Sequence, residues 1–240
     1  MATYLDRYLA GEYERVWEEL MNEGASVREG ALYIDSYNVA RETMRRAAEN
    51  CRTIVARLKA MGYGFGYYPD GSRRSSTPFK RPLSGIDRRI DAIELWKGSG
   101  LVPLSLRMFW EVVGQVDLIG FHPGWPRMLD PLVVDSPEAA TFDHKEWMSF
   151  IREGDPEAGP FRISLAPDVY HKDNYSGGEP YAMALPNPCI DGLFEFERHE
   201  TTFVNYLRLC FRWGGFPGIE ALGGEVPKEL KELGRDLLPL

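Results

Sequence analysis

Four histidines, His122, His144, His171 and His199, and three cysteines, Cys51, Cys189 and Cys210, have the most scope for metal or nucleophilic chemistry. Their spacing argues against its common forms. The chain has no HExxH or CxxC pair and no Gly-x-Ser-x-Gly elbow, and its cysteines are widely separated and odd in number. Neither a disulfide framework nor a zinc knuckle is expected, and no cysteine has a recognisable nucleophile context. The combinations that remain are His171 with Asp173, and His199 among Glu195, Glu197 and Glu200. They define an alternative reading of the chain, a metal-dependent hydrolase using His171, Asp173 and His199. On a strand, however, Glu195 and Glu197 share a face that is more simply solvent. No cofactor is expected, because Gly177-Gly178 lacks the spacing of a phosphate loop.

Two loops are richer than a scaffold requires. The first is His122-Pro123-Gly124-Trp125-Pro126, where a Trp beside a His and two prolines forms a rigid aromatic feature. It either anchors a partner or folds back over a sheet edge. The second runs from Asp168 to Tyr181 and mixes titratable groups, aromatics and a Gly-Gly pair. Binding loops carry such mixtures, and so do surface turns. From these loops and the strand before the first, Asp117, His122, Trp125, Asp173 and Tyr175 are the expected partner contacts.

The elements that would position these loops follow from hydrophobic period. Leu5, Tyr8, Leu9, Tyr13, Val16, Trp17, Leu20 and Met21 form one apolar stripe, closed near Asn22-Glu23-Gly24. A second stripe runs through Met44, Ala47, Ala48, Cys51, Ile54, Val55, Leu58 and Met61. Arg41, Arg45, Arg46, Glu49 and Arg52 lie opposite it, and Gly62 stands at the C-cap position. Residues 1–62 therefore read as a helical arm or hairpin that must pack on something. Residues 63–83 are rich in Gly, Pro, Ser and basic side chains and read as a linker.

From Ser84, an expected N-cap with Asp87 behind it, Ile86, Ile90, Ile93 and Trp96 line a helix that breaks at Gly98 and Gly100. Pro103 opens a second helix, which ends at Gly114. Strands are expected at 118–121, 132–134, 161–165, 181–185 and 193–196, with an interposed helix at 144–151. Thr201 or Thr202 opens a strong helix through Phe211, and the tail offers a short helix through Leu230, Leu233 and Leu237. The expected fold class is α/β in the α+β sense: an antiparallel or mixed sheet flanked by helices and preceded by an N-terminal helical hairpin. Residues 84–240 would be the α/β unit.

At 240 residues the chain can bury a real core, and a 44% hydrophobic, 12% aromatic composition is that of a globular protein. The net charge of -8 argues against general affinity for nucleic acid or anionic membrane. The basic run Arg73, Arg74, Lys80, Arg81, Arg88 and Arg89 reads as a solvated linker passing into a helix. No apolar run approaches the roughly 18–20 residues that cross a bilayer, and the first twenty residues lack a basic n-region and apolar block. A cytoplasmic location is the resulting expectation.

Helix, break, Leu101-Val102-Pro103-Leu104-Ser105-Leu106-Arg107-Met108-Phe109-Trp110-Glu111-Val112-Val113-Gly114, then strand, resembles the opening of the SMI1/KNR4 domain, the SUKH superfamily. The counterparts of its pattern are Ile90, Ile93 and Glu94, then Val102-Pro103 and Leu106, then Gly114. The resemblance spans about residues 84–217 and leaves the N-terminal helical region outside. It implies a sheet flanked by helices and a non-enzymatic protein-binding role, often that of a bacterial immunity protein that neutralises a toxin encoded beside it. The expected partner is then a protein, such as a basic toxin or nuclease, met by an acidic and aromatic surface. Self-association through the N-terminal helices is a further expectation.

Overall fold

The computed structural model describes residues 2–155, 158–223 and 226–240. It is an α+β protein in which three small antiparallel sheets are flanked by helices, with helices alone at the N-terminal end. The first apolar stripe forms two helices, α1 (Tyr4–Leu9) and α2 (Tyr13–Asn22). Gly11, at φ +103°, takes the turn between them. The Thr3 side chain caps α1 in a reciprocal box with Asp6.

The second stripe belongs to a longer helix than its period predicts. Helix α3 spans Gly30–Ala60, 31 residues, and starts well before Met44. Its added turns bury Ser36, Val39, Ala40 and Thr43, side chains too small or polar to extend a visible apolar stripe. Thr43 shows how a polar residue is accommodated there: its hydroxyl accepts from Trp17 Nε1 at 3.1 Å and donates to the Val39 carbonyl at 2.9 Å. Arg41, Arg45, Glu49 and Arg52 remain outside.

Helix α3 packs on α1 and on the Pro103-led helix, α5 (Leu104–Met108), with its continuation. That continuation, Phe109–Val113, is a π turn. It ends at Gly114, whose φ of +97° and approach to the Lys80 carbonyl exclude a side chain; a Cβ there would lie 2.3 Å from the oxygen. Buried residues of 1–62 and of 84–240 belong to one hydrophobic cluster, Met44 and Ile54 with Phe109, Phe203 and Leu233. Residues 63–83 therefore connect elements that share a core. The tail closes the arrangement through α9 (Lys228–Leu233), which buries Leu230 and Leu233. Asn50 on α3 holds Leu238 by both backbone groups, at 2.8 and 2.9 Å.

Helix α4 (Ile86–Glu94) buries Ile86, Ile90 and Ile93 as expected, but its cap differs. Gly85, at φ +70°, occupies the N-cap, and no side chain, Ser84 included, bonds the helix start. Strands β1 (Gly64–Phe65) and β4 (Gly120–Phe121) pair, as do β6 (Phe161–Ala166) and β7 (Tyr181–Leu185). Strand β3 (Gln115–Asp117) lies between β2 (Phe79–Lys80) and β5 (Val133–Val134). The expected strand at 193–196 is reduced to isolated bridges of Leu193 with Thr202 and Glu195 with Ala182. Phe196, at φ +66°, leaves the extended conformation and stands half-exposed while Phe194 is buried.

The interposed helix, α6, covers Ala140–Glu153, and a single turn, α7, covers Val169–Lys172. Thr202 is the N-cap of α8 (Phe203–Arg212). The Val204 amide at its start donates to the buried carboxylate of Asp191, whose other oxygen accepts from Ser105 at 2.6 Å. Burial pushes the Asp191 pKa up. One loop carboxylate thereby ties α5 to α8.

Candidate functional site: a cleft beside the 168–180 loop

Strand β6 ends at Ala166, and Pro167 sends the chain away from the sheet. Asp168 then caps the single turn α7: its Oδ1 accepts from the His171 amide at 2.7 Å and meets His171 Nδ1 at 3.0 Å. An acceptor oxygen facing Nδ1 favours the proton there, and in the neutral ring Nε2 is then a lone-pair acceptor. The turn is too short to persist alone, so Lys172 anchors it. The Lys172 side chain is fully buried, with Nζ 2.6 Å from Asp130 Oδ1 and 4.4 Å from the centre of the Tyr181 ring. Tyr181 in turn donates to Asp130 Oδ2 at 3.1 Å. This internal ion pair fixes which way His171 and Asn174 face.

Against this turn lies a cleft of about 670 Å³, in the range of small-ligand sites. One wall is the 168–180 loop, with Asp168, His171, Asn174, Tyr175 and Ser176. The opposite wall is Tyr68 and Arg74, from the segment before β2. Ile119, Asp135 and Ser164 are among the residues that complete the polar and apolar lining. Arg74 lies over the Tyr68 ring at 5.2 Å, and its Nη1 is 2.8 Å from Asp117 Oδ1. Asp117 also accepts from Ser76 Oγ at 2.9 Å and from the Ile119 amide at 3.1 Å. Asp117 is thus a buried brace for the cleft wall and offers no surface carboxylate.

Asp135 follows the apolar strand β5, which carries it inside. Burial, then the neighbouring charge of Asp117, pushes its pKa up; the bond from Gln115 Nε2, at 3.0 Å, acts the other way. Asp168 Oδ2 is buried and, among the described residues, accepts no hydrogen bond. Gly178 packs over it so closely that a Cβ would lie 2.3 Å away, so backbone alone covers that oxygen.

The other expected contacts lie around a separate, small hollow. Trp125 folds back, its ring 5.2 Å from Tyr63, 5.6 Å from Phe216 and 4.8 Å from His122. Its Nε1 is buried and has no hydrogen-bond partner among the described residues. Asp173, only 2% exposed, lines the same hollow and accepts from the Met128 amide at 3.3 Å. Burial pushes its pKa up. Tyr175 is the one expected contact on the cleft, 48% exposed, with Arg127 donating to its hydroxyl and stacked 5.4 Å above its ring.

The residues of the hydrolase alternative are engaged separately. His171 bonds Asp168, Asp173 bonds the Met128 amide, and His199 bridges Glu197 and Glu220. Burial lowers the His199 pKa, but the bonds to Glu220 and Glu197 outweigh it and hold it raised. Among the described residues no group of three or more His, Cys, Asp and Glu is placed to hold a metal ion. None of the described helices is long and apolar enough to cross a membrane.

Sequence reasoning passed over Asp135, named Asp168 only as one end of the second loop, and took Arg74 for part of a solvated basic linker, whereas its side chain is largely buried against Asp117. Two signals were present. Asp135 is a carboxylate directly after a Leu-Val-Val run, and Asp168-x-x-His171 has N-cap spacing. Comparison of the chain with protein-family models, with curated proteins and with solved structures gives no match.

Proposed function

We propose that this chain is a non-enzymatic binding protein that engages and blocks a partner protein, in the manner of an immunity-type or regulatory module. Its seat is the cleft between Tyr68–Arg74 and the 168–180 loop. One observation carries the reading: the cleft combines polar groups held rigidly from behind with an aromatic rim, Tyr68 and the half-exposed Tyr175. Rigid aromatics lose little conformational entropy on binding, and a braced wall does not have to be ordered by its partner. The helix–turn–strand order over 101–117 that resembles an SMI1/KNR4 domain points the same way. Against an acid–base enzyme stands the surroundings of His171 Nε2, to which no described side chain is hydrogen-bonded as a nucleophile.

The test is affinity capture from the native host with wild-type chain and with Ser176→Trp, which fills the cleft from an exposed position on its lining. One stoichiometric partner held by wild type and lost by Ser176→Trp is the expected result. A partner retained by the variant, or none recovered by wild type, overturns the assignment.

A further inference from the structure

The cleft is short of positive charge. Asp117, Asp135 and Asp168 stand in or directly behind its lining, with Arg74 as the only arginine or lysine among the lining residues. Arg74 is committed to Asp117, and Lys172, next to His171 in sequence, turns inward to Asp130. Asp168 is therefore left with one oxygen on His171 and one without any partner, although its side chain is only 6% exposed. Asp135 uses Oδ1 for Gln115, while Oδ2 has no hydrogen bond among the described residues. For Asp168, a carboxylate oxygen removed from water and left without a bond is a costly arrangement that a counter-charge relieves, and the half-buried Asp135 offers its free oxygen beside it.

We propose that the cleft recognises a cationic side chain of the partner, an arginine or lysine, and this rests on the cleft being the binding seat. The incoming group meets Asp135 Oδ2 as an acceptor and His171 Nε2 as a second, with the Asp168 charge beneath them. Tyr68 and Tyr175 flank it. Each already carries an arginine of this chain over its ring, Arg74 at 5.2 Å and Arg127 at 5.4 Å, which shows that these rings accept a planar cation; an incoming one takes the other face or displaces the arginine present. A guanidinium, which donates in a fork, fits two acceptors better than an ammonium does. The net charge of -8 adds long-range attraction for a basic partner.

The measurement is titration of the full chain, by calorimetry and by amide chemical shifts, with three probes: N-acetyl-arginine amide, the neutral isostere N-acetyl-citrulline amide, and spermidine. The arginine probe is expected to shift His171 and Tyr175 and to bind at least about tenfold more tightly than citrulline, the ratio a charge-assisted hydrogen bond supplies. Asp135→Asn, which keeps shape and the Gln115 bond, is expected to remove that ratio. Equal binding of the arginine and citrulline probes overturns the proposal, as does undiminished preference in Asp135→Asn. Spermidine binding ten times tighter than the arginine probe overturns a side chain as the source and assigns a free polyamine. If the arginine preference is absent while Ser176→Trp still loses the captured partner, cation recognition fails and the binding seat stands. If the partner survives Ser176→Trp, the seat itself fails.

Discussion

Asp135 is the residue where stability and the proposed binding oppose each other. Its half-buried carboxylate lies near Asp117 and, among the described residues, takes one hydrogen bond, from Gln115. Its pKa is raised in the folded chain, so ionisation destabilises the fold, and that penalty sets in as pH rises through the folded value. Asp135→Asn removes the penalty and is expected to stabilise the protein by about 0.5–2 kcal/mol at pH 7. The gain should shrink as the pH is lowered toward the ordinary Asp range near about 4, as the wild-type carboxyl takes up a proton too. Urea denaturation of both proteins at pH 7 and at pH 4 checks this; a variant no more stable at pH 7 would refute it. The sequence could not have ranked Asp135 above Asp117 or Asp173. Asp117 and Asp135 each follow an apolar strand residue and Asp173 lies in a polar loop, and only folded distances show that the first is fully braced, the third lines the hollow of Trp125, and the second faces a cleft.

At the scale of elements, hydrophobic period located helices well and their ends poorly. Ile86, Ile90 and Ile93 marked α4, yet the backbone conformation of Gly85, not a serine side chain, begins it. Small and polar residues concealed the first half of α3, because their burial rests on partners such as Trp17 that lie far away in sequence. The tail was legible as apolar, but its attachment was not, since that depends on Asn50 and Arg57. Arg57 donates to the carbonyls of Leu233 and Arg235, at 2.8 and 2.6 Å. Asn50→Ala should free the strap around Leu238 at a cost of about 1–2 kcal/mol, two part-buried bonds being lost to water. Limited proteolysis is the direct reading: cutting near residues 235–239 should accelerate in the variant, and an unchanged pattern would show that Asn50 does not hold the tail.

For the whole molecule, the division at 63–83 and the shared core have different consequences. The composition of that segment is that of a linker, while α3 before it packs on α5, the π turn and α9 after it. A chain of residues 84–240 alone would expose the faces that α3 covers. It is expected to show no cooperative urea transition and to bind a hydrophobic dye, whereas the full chain unfolds sharply. A sharp transition in the fragment would establish the α/β part as independent. The α+β class was readable because strand-like runs and helical stripes each follow from local pattern. The cleft was not, because its two walls are about a hundred residues apart, a separation marked by the bond of Asn174 to Asp70.

The strap of Asn50 on Leu238 joins residues 188 positions apart. A ribosome adding about 5–20 residues per second takes about 10–40 s to cover that distance. For that interval α3 is already made, and the tail that seals part of its apolar face has not been translated. The nascent chain therefore carries part of that apolar face uncovered through most of its synthesis, a surface open to chaperones while translation continues.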